Sequence, residues 1–519
     1  MSERDAVFDE LSRRDFDLLV IGGGIVGAGI ANEAARSGLA VALVDRADFG
    51  SQTTSASSKL IHGGLRYLRL GDVRLVRETH RERRTLMRVV APHLVRRLPF
   101  LFPLYRDGPY RPITIRAGLL LYSALGGEAH VGGLTPDAAR RRVPALRLGG
   151  LRACGVYADA VTHDSRLCLA NVRAAADAGA TVANYAEAVG LRVHRGLAAG
   201  AEVRDVFGEE AVLVRARAVV NATGPWVDRV RRLEDPSARP SSRLSKGVHL
   251  LVPREEPWSA AVTVPHERAR VSFAVPWEGM LLLGTTDSLF EDDPDELRVT
   301  EEDVETVLAE AAVALDGDFL RRDAVRAAFA GLRVLPNADG DTATARRETT
   351  FLRGRTGMLS IAGGKLTGYR RIATNALTAL RSDLGLRRVE RTPAPLPGAA
   401  EPDAVSERLA NRHPAVEPRV RDHLARLYGA LAEEVVMAAR GDEALLAPLA
   451  PGAPDIGAQV VYAFEHEWAC TTDDVVLRRT TLGYRGAATR EAVARVEALA
   501  RAARGWAGGA SRPQVTDCY

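Results

Sequence analysis

The first 45 residues contain a complete strand–turn–helix–strand pattern, which constrains the fold more than any other segment. An apolar run over 16–21 predicts a strand, and glycines follow over 22–27. Helical periodicity extends over 25–37, and a second apolar run covers 40–44 before Asp45. Two strands joined by a crossover helix are typical of a doubly wound parallel sheet. The sequence therefore predicts a Rossmann-like α/β domain at the N-terminus.

The glycine turn has the GxGxxG spacing of a dinucleotide-binding site. Gly22 permits a tight turn, Gly24 lets a pyrophosphate approach the backbone, and Gly27 lets the helix pack on the sheet. The pyrophosphate would lie at the positive N-terminal end of the helix. Asp45 would accept hydrogen bonds from the adenosine ribose.

The turn alone does not distinguish NAD from FAD. A second turn, Ala222-Thr-Gly224, follows a later strand, and Gly363-Gly364 precede another helix. An extended flavin cofactor needs such contacts along its length. Together with the position of the unit at the start of a long chain, these turns favour FAD.

Bulk properties exclude several other classes. The 519 residues suggest two to four domains of ~100–200 residues each. The four cysteines lie far apart without a CxxC pair, so neither a zinc ribbon nor another metal site is expected. The net charge of +4 gives no reason to expect nucleic-acid binding. No apolar run approaches the ~20 residues of a membrane span, and the charged N-terminus lacks a secretory h-region, which predicts a cytoplasmic protein.

Lysine is rare, since only three of the 70 Lys and Arg residues are lysine: Lys59, Lys246 and Lys365. Each lies in a compact segment that contains glycine or histidine. Lysine and arginine are not interchangeable at tight sites. We therefore expect at least two of the three to mark a functional surface.

The later part of the chain divides into strands, a linker and helices. Residues 243–290 read as a run of strands, and a helix is predicted over 300–328. Pro and Gly in TPAPLPGAAEPD at 392–403 break both helix and strand and indicate a linker. The remainder is rich in Ala, Leu and Arg and is helical in pattern.

Several motifs occur in a fixed order along the chain. They are TSASSKLIHGGLRYL at 54–68, NATGPW at 221–226, KGVHLLVP at 246–253, GTTD at 284–287, GLRVL at 331–335, GGKLTGY at 363–369 and HEWACTTDDVVLRRT at 466–480. In these motifs the chain resembles the FAD-dependent (aerobic, quinone-linked) glycerol-3-phosphate dehydrogenase family. The resemblance extends from about residue 15 to about residue 490.

The resemblance implies an α/β fold in which a Rossmann-like, D-amino acid oxidase-like FAD-binding domain is interleaved with an antiparallel β-sheet substrate domain. An oxidoreductase region is expected over 1–390. Its FAD-binding segments are expected at about 15–80, 150–235 and 340–385, and its substrate segments at about 81–149 and 236–339. A linker at 391–403 and a C-terminal α-helical domain at 404–519 complete the expected organisation.

The resemblance also implies oxidation of sn-glycerol 3-phosphate to dihydroxyacetone phosphate, with electrons passed to a membrane quinone. The protein is then expected to be peripheral on the inner, cytoplasmic face of the cell membrane. Residues 87–127 mix large apolar side chains with arginine, which is the composition of an interfacial surface or of an ordinary domain contact. A homodimer is an assembly that the sequence leaves open.

The substrate phosphate requires a cationic pocket. Arg333 and Lys365 are the first candidates and Arg347 the third, because arginine offers two parallel hydrogen bonds and lysine a compact charge. Arg66 and Tyr67, in the 54–68 motif, are candidates to hold the substrate hydroxyls or the flavin.

The hydroxyl proton requires an acceptor near the hydride acceptor. An imidazole titrates near neutral pH, so His62 and His249 are both candidates for the base. Arg333 completes the expected catalytic set. The cofactor-binding residues expected from the motifs are Gly22, Gly24, Gly27, Asp45, Thr54, Ser55, Ser57, Ser58, Lys59, Gly63, Ala222, Gly224, Gly364, Leu366 and Thr367.

Three alternatives remain at this point. An oxidase of the same fold would pass electrons to oxygen, and a related flavoprotein would act on a 2-hydroxy or amino acid. A carboxylate substrate would need less cationic charge than Arg333 and Lys365 supply. A non-enzymatic protein that retains the fold is the third alternative.

Overall fold

The chain alternates between two β-sheets and ends in a group of helices, in a computed structural model that describes residues 3–69, 71–127, 132–208, 211–266, 270–336 and 349–503. The strands of these ranges are, in chain order, β1 (Asp15–Ile21), β2 (Val41–Val44), β3 (Leu60–Ile61), β4 (Val95–Tyr105), β5 (Gly133–Leu134), β6 (Leu151–Thr162), β7 (Thr181–Ala183), β8 (Ala186–His194), β9 (Leu197–Asp205), β10 (Ala211–Asn221), β11 (Ser242–Pro253), β12 (Ala261–Pro265), β13 (Val271–Trp277), β14 (Met280–Gly284), β15 (Ser288–Phe290), β16 (Ala327–Pro336), β17 (Thr350–Arg353) and β18 (Leu359–Ala362).

The α-helices of the same ranges are α1 (Glu3–Arg13), α2 (Ile25–Arg36), α3 (Leu65–Arg69), α4 (Val73–Thr85), α5 (Pro112–Gly126), α6 (Pro136–Arg140), α7 (Asp164–Asp177), α8 (Val227–Glu234), α9 (Glu301–Ala311), α10 (Tyr369–Ala379), α11 (Pro402–Arg412), α12 (Pro418–Tyr428), α13 (Ala432–Met437), α14 (Gly457–His466), α15 (Thr472–Asp474) and α16 (Arg490–Ala502). Single π-helical turns follow α4 at Leu86–Val90 and α15 at Val475–Arg479.

The first sheet has eight strands and a parallel centre. Its main order is β17-β18-β10-β1-β2-β7, and β9 and β8 continue from β10 as an antiparallel hairpin. Strands β7, β2, β1, β10 and β18 are mutually parallel. The apolar run of β1 is buried on both faces because α2, α7 and α10 cover one side and α1 packs on the other.

The second sheet has ten strands and is mainly antiparallel. Its main order is β15-β11-β14-β13-β12-β4-β6-β3, with β16 paired to β11 and β5 to β6. One face packs on α9, and the other packs on residues of α3, α4 and α5. Because β3–β6 and β11–β16 lie here while β7–β10 and β17–β18 lie in the first sheet, the two sheets are interleaved along the chain. The predicted fold class is confirmed.

The predicted helix over 300–328 is only partly correct. Thr300 and Asp303 form the capping box that starts α9, but the helix ends at Ala311. Gly317 follows with a φ of 156°, which helical backbone does not permit, and β16 begins at Ala327. Residues 312–326 form turns and two short 3₁₀ helices, Asp318–Leu320 and Arg322–Ala324, and only the last two residues of the predicted range pair with β11.

The 87–127 segment divides into an internal strand and a surface helix. Strand β4 lies between β12 and β6 and is largely buried, so its apolar residues belong to the core of the second sheet. Helix α5 instead exposes Ile113, Leu120 and Leu121, which are 77%, 57% and 46% accessible. The interfacial composition noted in the sequence therefore applies mainly to α5, with Val89 as a further exposed apolar residue of the segment.

The C-terminal part consists of α11–α16 around two small apolar cores. Residues 387–401 connect it to α10 with little regular structure. In the described ranges, no helix has both the length and the hydropathy required to cross a bilayer.

Four histidines are buried in surroundings that favour their neutral form. Burial lowers the pKa of His80 and of His93 to about 3, with further lowering by Arg83 and by Arg166 respectively. Burial also holds the pKa of His163 and of His249 well below the ordinary value. The unfolded chain, with histidine pKa values near 6.5, binds protons that the folded protein does not.

We therefore expect stability to fall as the pH drops below about 6.5, by about 1.4 kcal/mol per pH unit for each such histidine. The pKa of Asp45 is raised to about 6, so the folded protein binds a proton there that the unfolded chain does not. This one group therefore adds stability as the pH falls below about 6. Urea unfolding at pH 7.5 and pH 5.5 measures the difference. His93→Gln should reduce this difference in unfolding free energy between the two pH values. His194→Gln, at an exposed position of β8, should leave it unchanged. An equal pH dependence in both variants would contradict the assignment.

Candidate active site

A cavity of about 1130 Å³ is lined by residues of both sheets. Its lining includes the glycine turn, Asp45, residues 50–54 and 56–58, residues 222–226, and the cations Arg333 and Lys365. Sites for one drug-sized ligand measure about 300–1,000 Å³. The cavity therefore has room for an extended cofactor together with a small substrate.

Three backbone turns at the carboxyl ends of neighbouring parallel strands face this cavity. Gly22 follows β1, Ala222 and Gly224 follow β10, and Gly364 follows β18. Because these strands are parallel, the three turns lie along the same edge of the sheet. That edge is where open α/β sheets bind dinucleotides.

The glycine turn leaves no space for side chains at its first and third positions. A Cβ at Gly22, whose φ is 106°, would lie 2.6 Å from the carbonyl oxygen of Ala222. A Cβ at Gly27 would lie 1.8 Å from the carbonyl oxygen of Gly22. Gly24 is the N-cap of α2, so the helix presents its N-terminal amides towards the cavity. This arrangement fits the pyrophosphate of an extended dinucleotide.

Asp45 directly follows β2 and lies inside the cavity lining. Its carboxylate accepts hydrogen bonds from the N–H of Gly23 at 2.6 Å and of Ala47 at 2.8 Å. Burial raises the pKa of Asp45 to about 6, although the two N–H groups partly oppose this. The carboxylate is thus fixed where the ribose of a dinucleotide on the glycine turn would lie, and the residues present fit FAD.

The loop of residues 53–58 is held against both sheets. The N–H of Ile25 donates to Thr54 Oγ1 at 3.0 Å, Ser57 Oγ donates to Asp164 at 2.6 Å, and Ser58 Oγ lies 2.9 Å from His249 Nε2. Thr54, Ser57 and Ser58 line the cavity, whereas Ser55 is turned away from it. The loop therefore connects the cofactor turn to the second sheet.

Lys59 is buried beneath this loop and does not line the cavity. Its ammonium group pairs with Asp164 at 2.8 Å and donates to the carbonyl oxygen of Ser55. The rings of Trp277, Phe329 and Tyr484 surround it at 4.5–5.1 Å. Burial disfavours its charge, but Asp164 and Tyr484 together outweigh that effect and raise the pKa of Lys59. This ammonium group holds the loop in place.

Lys246 also lies outside the cavity lining, because it pairs with Asp303 on the other side of β11. Lys365 is thus the one of the three lysines that the structure brings to the cavity. The expectation that at least two of them mark a functional surface is wrong. Lys59 and Lys246 instead form buried or nearly buried ion pairs, with Asp164 and Asp303 respectively.

The His62–Gly63 turn is fixed from behind by a buried carboxylate. Asp159 accepts hydrogen bonds from the N–H of Gly63 at 3.0 Å, from Arg83 at 2.7 Å and from Tyr122 at 2.8 Å. The N–H of His62 donates to Thr367 Oγ1 at 3.1 Å. His62 lines the cavity, while Gly63 lies behind it.

Arg333 and His249 come from adjacent antiparallel strands. Ser245 is paired with Arg333, Gly247 with Gly331 and His249 with Phe329, so all of these side chains share one face of the sheet. A Cβ at Gly247 would lie 2.3 Å from Arg333 Nη2, which shows that the guanidinium group lies across this glycine.

The Arg333 guanidinium group is oriented by the loop after β14. It donates to Thr285 Oγ1 at 2.7 Å and to the carbonyl oxygen of Thr286 at 3.2 Å, and it lies 3.6 Å from Asp287. Lys365 contributes a second cation, whose ammonium group lies 3.9 Å from the ring centre of Tyr67. Within the described part of the chain, Lys365 has no carboxylate partner.

His249 is buried and neutral. Its Nε2 lies 2.9 Å from Ser58 Oγ, and its ring stacks on Phe329 with centroids 5.1 Å apart. Burial holds the pKa of His249 well below its ordinary value, and the positive charges of Arg333 and Lys59 lower it further. Its Nδ1 has no hydrogen-bond partner among the described residues. Such an imidazole is deprotonated at neutral pH, but its burial and the two neighbouring cations make it a weak base.

The predicted residues that line the cavity are Gly22, Gly24, Asp45, Thr54, Ser57, Ser58, His62, Tyr67, Ala222, Gly224, His249, Arg333, Gly364, Lys365, Leu366 and Thr367. Gly27, Ser55, Lys59 and Gly63 lie outside the lining. The side chain of Arg66 and all of Arg347 lie outside the described residues, so their roles stay predictions.

Sequence reasoning missed Asp159, Asp164 and Thr285. Thr285 belongs to the GTTD motif, which gave no indication that it binds Arg333. The two aspartates occur near the end of β6 and the start of α7, where a single acidic residue gives no signal of the long-range partners it finds.

Comparison with known proteins agrees with this geometry. Residues 17–370 match the family model described as FAD dependent oxidoreductase, and residues 392–510 match the C-terminal domain of alpha-glycerophosphate oxidase. A glycerol-3-phosphate dehydrogenase of Mycobacterium leprae is 36% identical over 518 residues, covering 96% of this chain and 86% of that protein. One from Pseudomonas aeruginosa is 35% identical, covering 90% and 92%.

Solved structures show the same fold. The glycerol-3-phosphate dehydrogenase from Bacillus halodurans complexed with FAD superimposes with a TM-score of 0.76 at 29% identity, covering 96% of this chain and 97% of that one. An L-alpha-glycerophosphate oxidase from Mycoplasma pneumoniae is similar in fold, with a TM-score of 0.56 at 15% identity. With the dinucleotide turn, the interleaved sheets and the matching C-terminal domain, the chain belongs to the FAD-dependent glycerol-3-phosphate dehydrogenase family.

Proposed function

We propose that this protein oxidises sn-glycerol 3-phosphate to dihydroxyacetone phosphate, with FAD as the hydride acceptor and a membrane quinone as the final electron acceptor. The observation that carries the proposal is that one cavity contains both the dinucleotide turn and the cations Arg333 and Lys365. The family relationship supports the same reaction.

Recognition of the phosphate falls to Arg333 and Lys365. Thr285 and Thr286 orient the guanidinium group, so it binds an anion without first losing side-chain freedom. Lys365 adds a compact charge. The expected contributions of Arg66 and Arg347 would increase the cationic character further.

We assign to His249 the role of the base that removes the proton of the C2 hydroxyl. FAD, when bound, supplies the acceptor for the hydride that leaves C2. His249 lies on the strand next to that of Arg333, so a phosphate held by Arg333 keeps the substrate within this part of the cavity. Its neutral imidazole accepts the proton, and Ser58 holds the ring through Nε2. The sheet and the 53–58 loop exclude water around it, since His249 is only 3% exposed.

We assign the route by which quinone reaches the cavity to helix α5. Residues Ile115, Leu119 and Leu121 of this helix line the cavity, and Ile113 and Leu120 project into solvent beside them. Arg111 and Arg116, also exposed, provide positive charges at the same surface. Exposed apolar side chains beside arginine are typical of helices that lie in a membrane interface. This supports peripheral binding to the inner face of the cell membrane.

The phosphate assignment is tested by removing one cation at a time. Arg333→Met and Lys365→Met should each raise KM for glycerol 3-phosphate about 10- to 150-fold, because a charged hydrogen bond contributes roughly 1.5–3 kcal/mol. Lys246→Met is the matched control, since Lys246 is on β11 but pairs with Asp303 outside the cavity. An unchanged KM in Arg333→Met would remove Arg333 from the substrate site.

The base assignment is tested at saturating substrate, where kcat reports the bound complex. His249→Asn should lower kcat by about 10²–10⁴-fold with a small change in KM. Because the pKa of His249 lies well below 6.5, wild-type kcat should show no loss centred near pH 6.5 as the pH falls. His62→Asn is the comparison: a larger loss of kcat there than in His249→Asn would assign the base to His62.

The electron acceptor is tested with variants of the exposed surface of α5. Replacing Ile113 and Leu120 by Ser should weaken binding to anionic vesicles and lower quinone reduction, while anaerobic flavin reduction by glycerol 3-phosphate stays unchanged. Met437→Ser, at a position 63% exposed in the C-terminal part, is the control. Rapid peroxide release in air without quinone would instead favour the oxygen-reducing alternative.

A further inference from the structure

We propose that the C-terminal helical domain positions the ribose-binding loop of the FAD site, through Arg478 and Arg479 acting on Asp48. The loop comprises residues 45–50 and is called the ribose loop here. The inference rests on FAD binding at Asp45 and is independent of the substrate proposed above.

The first link is a buried ion cluster centred on Asp48. Arg479 binds both oxygens of this carboxylate, and Arg478 Nε binds one of them. Asn184 donates to the same carboxylate at 3.0 Å. Asp48 is 1% exposed and Arg479 fully buried, so water cannot replace either partner. Burial alone would raise the pKa of Asp48, but Arg479 and then Arg478 lower it and keep the carboxylate charged.

The second link reaches the loop through Tyr185. Asp474 accepts a hydrogen bond from Arg478 Nη2 at 2.6 Å and from the hydroxyl of Tyr185 at 2.6 Å. The N–H of Tyr185 in turn donates to the carbonyl oxygen of Ala47 at 3.1 Å. Two hydrogen bonds through Tyr185 therefore connect the first half of the ribose loop to the C-terminal domain, where Arg478 holds Asp474.

The third link is apolar. Phe49 packs edge-on against Trp468, with ring centroids 5.9 Å apart and an interplanar angle of 86°. On its other side Phe49 covers Gly23, where an added Cβ would lie 2.4 Å from the ring. The N–H of Gly50 donates to the carbonyl oxygen of Gly23 at 3.1 Å. Phe49 therefore contacts both Trp468 of the C-terminal domain and the dinucleotide turn, and it holds the ribose loop against that turn.

These links converge on Asp45. Its carboxylate is oriented by the N–H groups of Gly23 and Ala47, one from the turn and one from the ribose loop. Loss of Arg479 would leave Asp48 with less compensation for its buried charge, and the loop would have to move for the carboxylate to reach water. Ala47 would move with the loop, and Asp45 would lose one of its two orienting donors.

The test compares two ion pairs that join the C-terminal part to the preceding region. Arg479→Met removes the partner of Asp48, whereas Arg485→Met breaks the pair of Arg485 with Glu278, at 3.0 Å, which lies beside the second sheet between β13 and β14 and does not include residues 45–50. FAD release from each full-length holoenzyme is followed by the rise in flavin fluorescence after dilution.

Arg479→Met should release FAD about 10- to 100-fold faster than wild type, the scale on which loss of an outer hydrogen-bond partner weakens a metal site. Arg485→Met should release it at a rate close to that of wild type. With excess FAD, Arg479→Met should recover kcat with an unchanged KM for glycerol 3-phosphate. Amide hydrogen exchange in residues 45–50 should also be faster in Arg479→Met alone.

Equal FAD release by the two variants, whether fast or slow, would overturn the inference, because the C-terminal domain would then act on the cofactor only through general stability. Tyr185→Phe provides a milder version that removes one hydroxyl; it should accelerate FAD release by less than Arg479→Met, and no acceleration would also count against the inference. A wild-type flavin that glycerol 3-phosphate fails to reduce would refute the substrate proposal only, since FAD release is measured without substrate.

Discussion

The active-site cavity depends on the close approach of the 53–58 loop to the β11–β16 strand pair. Gly331 makes this approach possible, because a Cβ there would lie 2.7 Å from the carbonyl oxygen of Ala56. Its cross-strand partner Gly247 leaves the space that the Arg333 guanidinium group occupies. One glycine pair therefore brings the cofactor loop onto the second sheet and the cation onto its face. Side chains at either position would separate the two halves of the site.

Charge is buried throughout this molecule, and arginine carries most of it. Arg83, Arg166 and Arg479 are nearly or fully buried, and each binds a carboxylate together with backbone carbonyl oxygens. A guanidinium group has five donors in a fixed plane and satisfies several acceptors at once. Lys59 occupies the one comparable position for lysine among the described residues, where three aromatic rings replace the missing acceptors.

Local features of the sequence were predictable, and long-range partners were not. The strand–turn–helix–strand unit at the N-terminus, the interleaved fold class and the FAD cofactor followed from glycine spacing, apolar periodicity and the family motifs. The helix predicted over 300–328 was too long because the chain turns at Gly317, whose φ of 156° helical backbone does not permit, before β16 begins at Ala327. The membrane-like composition of 87–127 came partly from β4, whose apolar residues face the interior of the sheet.

The same limit applies to individual site residues. Arg333, Lys365 and His249 were identified by motif and lie in the cavity lining. Lys59 belongs to the most specific motif of the chain, yet its ammonium group faces Asp164, more than 100 residues away in sequence. No local pattern distinguishes a lysine that contacts a ligand from one that holds the loop beneath it, because the difference lies in a distant carboxylate.

The interleaving of the two sheets has a consequence for how the protein acquires its cofactor. The glycine turn is synthesised first, but Gly364 and Arg479 are separated from it by most of the chain. An emerging polypeptide therefore has a nucleotide-binding turn long before it has the remaining walls of the pocket. Contacts of such wide sequence separation form slowly, so the complete flavin pocket is expected to form late in folding, after the 363–369 turn and the C-terminal helices have docked.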